Sequence, residues 1–414
     1  MTAVVPADHR LAAADPALPG LRAVLDPLPL VRRLAPGWGA ADARVRYLRY
    51  KPGTSLVAGL LLTHDDGATS FAQALALRPD ARDKLAKVER AGAGDDVGRG
   101  AALDGALGVA LTDVTADRHL PGVRRVLRHP DDTVTPLVYK PGRRWVARRD
   151  RAGSPPALVK VHRPGILPGL RAGYQAVVGL PVPPVTRVHR HRGVVVTAWV
   201  PGTSLDRLTG PATEDLWARA GELIARVHRR PPLADLTRVD RAASLAAAVA
   251  GVRAVLPEVA ADARTTAERV RAGLGEDAAL TVVHGDFSAD QVVVRPDLAG
   301  AAGAAAPADP ARADQPPVTL VDLDRVSVDD PAADLASWYG ALISVGAPPA
   351  EPRDVLGPLL AGYRVAGGPA DLTRLRLHCA AAVLQRSAEP FRRHLPDWPA
   401  RVAHLVGVAK DLTA

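Results

Sequence analysis

Apolar positions follow two different spacings along the chain. Short apolar runs bounded by turn residues are typical of strands, and they lie at 55–62, 70–77, 157–161 and 194–200. Residues 213–230 and 241–273 instead repeat apolar side chains every three or four positions. This spacing predicts amphipathic helices, the second of them broken at Pro257. A β-rich half followed by a helical half indicates an α+β fold with two lobes.

Two segments of the β-rich half resemble each other. Both contain Tyr-Lys-Pro-Gly, at 50–53 and at 139–142, followed in each case by two strand-like runs. Each segment therefore predicts three short antiparallel strands with a Pro-Gly turn after the first. We expect residues 1–115 to form an N-terminal domain that is a degenerate duplicate of the next one. When the last strands are aligned, Gln73 falls at the position of Lys160.

Composition places the chain among globular proteins with more than one domain. Its 414 residues are 47% hydrophobic and 23% charged, and this length is too great for one compact core. Only six of the 53 basic residues are Lys, so each lysine is a rarer feature than an arginine. The net charge of +9 raises nucleic acid as a partner. Because the arginines are dispersed and no basic run alternates with aromatic residues, a solvated Arg-rich surface is favoured and nucleic-acid binding is not expected.

Cysteine usage and hydropathy bear on the compartment. The single Cys379 cannot form an intrachain disulfide, which fits a reducing environment. Residues 1–29 lack the apolar core of a secretion signal, and no uncharged apolar stretch is long enough to span a bilayer. We therefore expect a cytoplasmic protein with no membrane partner.

The clearest chemical pattern lies at 282–294, Val-Val-His-Gly-Asp-Phe-Ser-Ala-Asp-Gln-Val-Val-Val. Two apolar strands flank a loop that carries Asp286 and, five residues later, the amide of Gln291. A second carboxylate, Asp322, lies near the end of a strand predicted at 318–323. One carboxylate, one amide and substrate phosphates are sufficient oxygen ligands for Mg²⁺, so this set is typical of phosphoryl transfer. On its own, an Asp in a turn is more often a backbone cap.

These motifs resemble those of the aminoglycoside phosphotransferase and choline kinase group, which has a protein kinase-like fold. The loop of that group reads His-Gly-Asp, four variable residues and Asn, and its metal motif leads into Asp-Pro-x-x-Asp-Leu-Ala, found here at 330–336. The resemblance implies that Asp286 is the catalytic residue and that Gln291 and Asp322 bind Mg²⁺. It also implies that Asp334 anchors the catalytic loop and that His284 has a packing role.

The upstream segments agree with this resemblance. Lys160 lies on the third predicted strand, where the group places the lysine that neutralises the α- and β-phosphates of ATP; the alternative is a solvent-facing strand lysine. Ala198 and Val200 correspond to the hinge whose backbone binds adenine. The implied architecture is a two-lobed protein kinase-like fold with an additional N-terminal α/β domain. The small lobe would span 116–200 and the mainly helical large lobe 201–414.

Three departures from the group's pattern stand out. Gln291 replaces Asn, as in maltokinase-like members, which also have an extra N-terminal domain. No acid lies between Gly165 and Leu180 to pair with Lys160. The turn at 141–142 is not a glycine-rich loop, so phosphate contacts there would involve Arg143 or Arg144.

Two functions follow from the pattern. The first is an ATP-dependent phosphotransferase acting on a hydroxyl of a small molecule, a sugar or an amino sugar. The alternative is a catalytically degenerate nucleotide-binding module whose N-terminal domain binds a partner. The acceptor itself and the oligomeric state are left open by the sequence.

Overall fold

The computed structural model describes residues 6–92, 99–210, 212–275, 280–299 and 316–414. The chain forms two compact units. Unit 1 comprises Met1–Leu167, Val185–Trp199 and Glu389–Arg401, and unit 2 comprises Pro168–Pro184, Val200–Ala388 and Val402–Ala414. Unit 1 contains both β-rich segments that resemble each other in sequence.

The N-terminal part of the chain builds the first sheet of unit 1. Its elements are α1 (Pro6–Ala14), α2 (Leu21–Leu25), α3 (Pro27–Leu34), β1 (Ala40–Lys51), β2 (Ser55–His64), β3 (Thr69–Leu77), α4 (Arg82–Gly92), β4 (Ala101–Asp104) and β5 (Val109–Asp113). The strands pair in the order β1-β2-β3-β5-β4. All four pairings are antiparallel. The sheet is thus a three-stranded meander extended by a hairpin whose second strand joins β3.

The second sheet of unit 1 has the same design. Its elements are α5 (Gly122–Leu127), β6 (Asp132–Lys140), β7 (Arg144–Arg151), β8 (Ser154–His162), β9 (Val185–His189) and β10 (Val194–Ala198). The strands pair in the order β6-β7-β8-β10-β9. Between β8 and β9 the chain forms α6 (Leu167–Ala176), as it forms α4 between β3 and β4. The predicted strand at 194–200 is shorter than expected, because β10 ends at Ala198.

The two sheets also share a buried hydrogen-bond pattern. Asp15 accepts bonds from the tyrosine hydroxyl (2.7 Å) and the glycine N–H (2.8 Å) of the 50–53 turn. Asp117 accepts bonds from the same two groups of the 139–142 turn, at 3.0 and 2.6 Å. Both turn glycines have φ of +62°, a conformation that glycine adopts without a steric penalty. An aspartate thus stabilises each Tyr-Lys-Pro-Gly turn in the same way.

Strand register corrects the expected counterpart of Lys160. Trp145 and Leu56 follow the glycines of their turns by the same number of residues. Trp145 pairs with Val161 in the second sheet, and Leu56 pairs with Ala76 in the first. The residue before Val161 is Lys160, and the residue before Ala76 is Leu75. Leu75, and not Gln73, therefore holds the position of Lys160 in the first sheet. The first sheet lacks a lysine at this position, as expected. The residue expected there, Gln73, was wrong by two positions.

The second sheet packs its turn onto the first. An ideal Cβ built on Gly59 would lie 2.9 Å from Cδ of Pro141 and 3.0 Å from the carbonyl oxygen of Tyr139. The Tyr139 hydroxyl donates to Oε1 of Gln73 at 3.2 Å. Gln73 and Leu75 lie on the same face of β3 because alternate residues of a strand share a face. The face of the first sheet that corresponds to the Lys160 face is therefore covered by protein.

A C-terminal segment completes unit 1. It contains α15 (Glu389–Arg392) and the start of α16 (Trp398–Asp411). Asp8, only 1% exposed, accepts a hydrogen bond from Nε1 of Trp398 (3.1 Å) and lies 2.9 Å from Nε2 of His394. Phe391 packs between Tyr50 and Trp398, with ring centroids 6.2 and 5.2 Å away. These contacts attach residues 389–401 to the N-terminal elements.

Unit 2 is mainly helical. Besides α6 and the end of α16, its helices are α7 (Ala212–His228), α8 (Arg241–Val255), α9 (Ala260–Leu274), α10 (Pro296–Ala299), α11 (Ala332–Ser344), α12 (Pro352–Val355), α13 (Gly357–Val365) and α14 (Leu375–Arg386). The helix predicted at 241–273 is broken at Pro257, as expected. The stretch rich in Ala, Pro, Gly and Asp at 297–317 lies largely outside the described residues. No helix among the described residues is long and apolar enough to cross a bilayer.

Five short strands of unit 2 hold the loops between its helices. They are β11 (Thr203–Ser204), β12 (Thr281–Val283), β13 (Val292–Val294), β14 (Val318–Leu320) and β15 (Ser327–Asp329). They form a three-stranded sheet, β11-β13-β14, and a two-stranded ribbon, β12-β15. The strand predicted at 318–323 ends at Leu320, because the backbone of Asp322 turns into the left-handed region.

Helices α7 and α13 cross at a pair of glycines. An ideal Cβ on Gly221 would overlap the carbonyl oxygen of Leu359, and one on Gly362 would overlap that of Ala218. Each helix therefore approaches the backbone of the other, and a side chain at either glycine would push them apart.

Gly362→Ala is expected to destabilise the protein by about 1–3 kcal/mol, the usual effect of overpacking a closed contact. Urea denaturation measures the change. Gly357→Ala is the matched control, because this glycine is also on α13 and an ideal Cβ there meets nothing within 4 Å. Equal stability of the two variants would contradict the close crossing.

Candidate active site

The His-Gly-Asp loop is held between two strands, as the apolar runs predicted. It leaves β12, which pairs with β15, and it enters β13, which pairs with β14. Phe287, fully buried in the loop, packs against Trp338 with ring centroids 4.8 Å apart. The loop is therefore fixed at both ends and in its middle.

Asp334 anchors this loop, as the resemblance implied. Its carboxylate is 1% exposed and accepts hydrogen bonds from the backbone N–H groups of His284 (2.6 Å) and Gly285 (2.8 Å). His228 Nε2 lies 3.1 Å from the same carboxylate, and its Nδ1 lies 2.8 Å from the Tyr363 hydroxyl. The buried carboxylate thus ties the loop to α7 and α13. These contacts give His228 a structural role.

His284 also has the expected packing role. Its Nε2 lies 2.9 Å from the carbonyl oxygen of Val321, and its ring meets the edge of Phe287 at 6.3 Å. The imidazole therefore joins the catalytic loop to the segment that carries Asp322, and it is fully buried.

Gly285 brings Asp286 beside the segment 322–325. Its φ of +78° favours glycine, and an ideal Cβ there would overlap the carbonyl oxygen of Arg325. A side chain at this position would therefore separate the two loops. The close backbone approach explains why the residue before Asp286 is a glycine.

Asp286 lies between two guanidinium groups. Arg386, on α14, donates from Nη2 to Oδ1 of Asp286 at 3.1 Å and to the Ser337 hydroxyl at 3.1 Å. Nε of Arg325 is 3.6 Å from the other carboxylate oxygen. The Asp286 side chain is 29% exposed. Burial would raise its pKa, but the two arginine charges outweigh burial and hold the pKa of Asp286 below its usual value. Asp286 is therefore ionised at neutral pH and partly accessible.

The two predicted metal ligands lie on adjacent backbone segments. The N–H of Val321 donates to the carbonyl oxygen of Gln291 at 2.9 Å, so Asp322 follows directly beside Gln291. The Gln291 side chain donates its amide nitrogen to Asp290 at 2.8 Å, which leaves the amide oxygen for a metal. The negative charge of Asp322 raises the pKa of Asp286, but less than Arg325 and Arg386 lower it.

Asp322 has an unusual backbone. Its φ of 58° and ψ of 56° place it in the left-handed region, which few residues other than glycine adopt. Such conformations are concentrated at functional sites, where the surrounding structure imposes them. Among the described residues no group of three His, Cys, Asp or Glu side chains could hold a metal. A carboxylate and an amide oxygen are nevertheless hard donors of the kind that Mg²⁺ binds together with phosphates.

Of the residues predicted to bind the nucleotide, Lys160 and Ala198 lie in unit 1 and Val200 lies in unit 2. Lys160 is on the third strand of its sheet, 3% exposed, and pairs with Val146 and Val195. Ala198 is the last residue of β10, and Trp199 continues the pairing by donating to the carbonyl oxygen of Pro156 at 3.1 Å. Val200, the first residue of unit 2 after β10, is half-buried.

Arg386 and Ser337 are the site residues that sequence reasoning missed. Arg386 lies 100 residues after Asp286, on a helix with no recognisable motif. Helices α11 and α14 pack closely, because an ideal Cβ on Gly340 would lie 3.0 Å from Cβ of Ala382. Arg386 is one turn beyond Ala382, and this packing directs it to Asp286. One arginine among 47 gives no signal of such a contact in the sequence.

Comparison with known proteins agrees with this geometry. Residues 132–303 match the model of the phosphotransferase enzyme family, APH. The amicoumacin kinase hAmiN, solved in complex with AMP-PNP, Ca²⁺ and Ami, is 13% identical, with a TM-score of 0.50 over 72% of this chain and 95% of that one. A choline/ethanolamine kinase family protein from Mesorhizobium loti is 17% identical, with a TM-score of 0.49 over 72% and 93%. Choline kinase LicA from Streptococcus pneumoniae is 12% identical, with a TM-score of 0.48 over 68% and 94%. No curated protein matches the chain significantly.

The family match confirms the resemblance seen in the loop and metal motifs. Over residues 132–303 the chain is similar to small-molecule phosphotransferases of this family. The predicted α+β, protein kinase-like fold with an additional N-terminal α/β region is confirmed as well. The first sheet lies outside the matched segment.

Proposed function

We propose that this protein transfers the terminal phosphoryl group of Mg-ATP to a hydroxyl group of a sugar or an amino sugar. The observation that carries the proposal is the pair Asp286 and Asp322. These carboxylates come from different loops, interact electrostatically and are joined by the contact of His284 with Val321. Phosphoryl transfer needs one group for the acceptor hydroxyl and another for the metal, and this pair supplies both.

Asp286 would orient the acceptor hydroxyl. Its carboxylate is partly exposed and ionised, so it can accept a hydrogen bond from the hydroxyl. Because its pKa is low, it is a weak base, and the hydroxyl proton would move late in the reaction. Late proton transfer fits the loose transition state of phosphoryl transfer, in which positioning and electrostatics dominate. Arg386 would keep the carboxylate in place through its bonds to Asp286 and Ser337.

Asp322 and Gln291 would hold the metal, and Lys160 would bind the phosphates. Mg²⁺, when bound, neutralises phosphate charge and orients the terminal phosphoryl group. The buried position of Lys160 on β8 suits a cation that contributes to nucleotide binding. The backbone of Ala198 and Val200 would bind adenine, since both lie where the last strand of the sheet leads into unit 2.

The same proposal covers the domains and the acceptor class. Residues 1–115 would be a degenerate duplicate of the small lobe at 116–200, and 201–414 would form the large lobe. Identical strand order and the shared Asp-Tyr-Gly hydrogen bonds support the duplication. Leu75 at the lysine position, with the corresponding face covered by Tyr139 and Pro141, explains why the first sheet would not bind a nucleotide. Gln291 and the N-terminal domain favour a maltokinase-like acceptor, a sugar.

An acceptor screen tests the proposed function. ATP consumption is measured with neutral sugars, amino sugars and aminoglycosides, and the phosphorylated product is identified by mass spectrometry. We expect turnover with at least one sugar, lost in Asp286→Asn. A cytoplasmic location and a small-molecule acceptor are parts of the same proposal.

A second candidate is a nucleotide-binding module without transfer activity. The absence of an acid on α6, between Leu167 and Ala176, favours it, because kinases of this fold usually pair the phosphate-binding lysine with a glutamate. ATP binding without turnover on any acceptor would support this alternative. The ionised Asp286 beside Asp322 supports the enzyme instead.

Asp322→Asn is expected to lower the transfer rate at least about 100-fold at 1 mM Mg²⁺, because metal-ion charge stabilisation contributes several kcal/mol. Higher Mg²⁺ should restore part of the rate. A titration of initial rate against Mg²⁺ at fixed ATP measures the effect. Asp324→Asn, two residues away, serves as the matched control. An unchanged Mg²⁺ dependence in Asp322→Asn would exclude this residue as a ligand.

A further inference from the structure

A cluster of cationic side chains surrounds the 139–142 turn of the second sheet. Arg163 donates from Nε to the carbonyl oxygen of Gly142. An ideal Cβ on Gly142 would lie 3.3 Å from Nη2 of Arg163 and 3.3 Å from Cδ2 of His119. Arg143 follows the turn directly, and its N–H donates to the carbonyl oxygen of Lys140 at 2.9 Å. Both arginines are exposed, so their charges face solvent.

The first sheet adds another arginine to this cluster. Arg49 is on β1, two residues after Tyr47, which pairs with Gly59. Because alternate residues of a strand share a face, Arg49 lies on the face where Gly59 meets Pro141. It is half-buried. Burial lowers the pKa of the Arg49 guanidinium, and the charges of Arg143 and Arg163 also lower it, while Tyr47 and Asp117 raise it. Its position on the Gly59 face and these electrostatic effects together assign Arg49 to the cluster around the turn.

The equivalent turn of the first sheet shows that these cations are not needed to build the turn. The 50–53 turn has the same aspartate, the same two hydrogen bonds and the same glycine φ. Around it, the positions that correspond to Arg118, His119 and Arg143 are neutral: Pro16, Ala17 and Thr54. The counterpart of Arg163 is Arg78, which is paired with Asp80 at 2.7 Å. The cations around the 139–142 turn are therefore not required for the conformation of the turn.

The described residues around the turn supply little negative charge to this cluster. Asp117 lies among the cations, but Oδ2 accepts from the Tyr139 hydroxyl and the Gly142 N–H, and Oδ1 accepts from the His119 backbone N–H at 3.0 Å. One carboxylate cannot balance three arginines. Like charges that lie close together repel each other, and an anion with more than one charge would relieve the repulsion. Arg side chains match phosphate oxygens in charge and in bidentate geometry.

We propose that Arg49, His119, Arg143 and Arg163 form an anion site that binds a phosphate group of a small polyanion. The N-terminal domain contributes Arg49, so the site exists only when both sheets are present. It goes beyond the proposed reaction, because binding there requires no transfer.

This site is distinct from Lys160. Tyr139, whose hydroxyl binds Asp117, packs in the same core as Trp145 and Val161. Lys160 follows one residue before Val161 and faces the other side of the sheet, since neighbouring residues of a strand point in opposite directions. A phosphate at the anion site and a nucleotide at Lys160 would therefore lie on opposite faces.

Calorimetric titration of the full chain with pyrophosphate, without Mg²⁺, tests the site. We expect Arg49→Gln and Arg143→Gln each to weaken binding about tenfold, the loss of one charge-assisted contact. Arg143→Lys should retain most of the affinity. Arg46→Gln is the matched control, an exposed arginine on the same strand β1. Lys160→Met removes the phosphate contact proposed for the nucleotide site, so the pyrophosphate binding that remains in this variant reports the anion site. Titrations with a hexose phosphate and with ATP show whether the natural ligand is a sugar phosphate or a nucleotide.

The outcomes separate this proposal from the proposed function. Loss of the pyrophosphate binding that remains in Lys160→Met, when Arg49→Gln or Arg143→Gln is added to that variant, supports the anion site, whether or not the protein turns over ATP. Loss only in Lys160→Met would place the anion at the nucleotide lysine and overturn the proposal. No pyrophosphate binding by the wild type, or equal binding by all arginine variants, would overturn it as well. Thermal melting of each variant excludes unfolding as the cause.

Discussion

Asp286→Asn is expected to slow phosphoryl transfer about 10²–10⁴-fold, the range over which a positioned acid–base group contributes to catalysis. Asn has nearly the same shape but carries no charge to orient and finally accept the hydroxyl proton. Nucleotide binding should be preserved, since Asp286 acts on the acceptor. Single-turnover transfer from labelled ATP measures the rate, and calorimetry measures ATP affinity.

The wild-type environment of Asp286 sharpens this expectation. The substitution removes the negative charge of Asp286, so the folded variant loses two partly exposed ion pairs, with Arg325 and with Arg386. The two arginines keep their charges. Such pairs contribute little to stability, and thermal melting should stay close to that of the wild type. A variant that unfolds, or one that transfers phosphate at the wild-type rate, would contradict the role given to Asp286.

Asp334→Ala is expected to destabilise the protein by about 3–5 kcal/mol, the usual effect of removing one partner from a buried polar cluster. The two N–H groups at 284 and 285 would lose their acceptor, and His228 would lose its carboxylate contact. The catalytic loop would also lose its anchor, so transfer should fall even in the folded fraction. Urea denaturation and single-turnover rates measure the two effects.

Asp371→Asn provides the control for this buried carboxylate. Asp371 is exposed and its hydrogen bonds go only to Thr373, two residues away. Its replacement should leave urea denaturation close to that of the wild type. Comparable losses in both variants would mean that the anchoring contacts of Asp334 are not specific.

Local motifs made the catalytic loop predictable from sequence. Glycine before Asp286 and apolar strands on both sides define a loop of fixed shape, and the spacing to Asp334 fits a distinctive motif. These residues contact one another through backbone groups, so their types are constrained by geometry. The strand lysine was predictable for another reason: lysine is rare in this chain and Lys160 interrupts an apolar run.

Contacts made by side chains from distant helices were not predictable. Arg386 reaches Asp286 because α14 packs closely on α11 at Gly340, and nothing in the sequence around 386 marks that approach. The register of β3 was not predictable either. Alignment of the last strands places Gln73 at the position of Lys160, whereas pairing across the sheet assigns that position to Leu75, and both residues lie on the same face of β3.

The two halves of unit 1 also share a longer sequence repeat. Residues 14–25 read Ala-Asp-Pro-Ala-Leu-Pro-Gly-Leu-Arg-Ala-Val-Leu, and 116–127 read Ala-Asp-Arg-His-Leu-Pro-Gly-Val-Arg-Arg-Val-Leu. The shared aspartate is the residue that binds each Tyr-Lys-Pro-Gly turn. The aspartate and the turn are separated by different numbers of residues in the two repeats, so the sequence alone does not show that they belong together.

The joint action of Asp286 and Asp322 is best tested by a double-mutant cycle on the single-turnover transfer rate, with Asp286→Asn, Asp322→Asn and the double variant. Residues that serve one phosphoryl transfer act as a unit, so their losses are not additive. The double variant should therefore be hardly slower than the worse single variant. Losses that multiply, or single variants that keep the wild-type rate, would show that the two carboxylates do not serve one reaction.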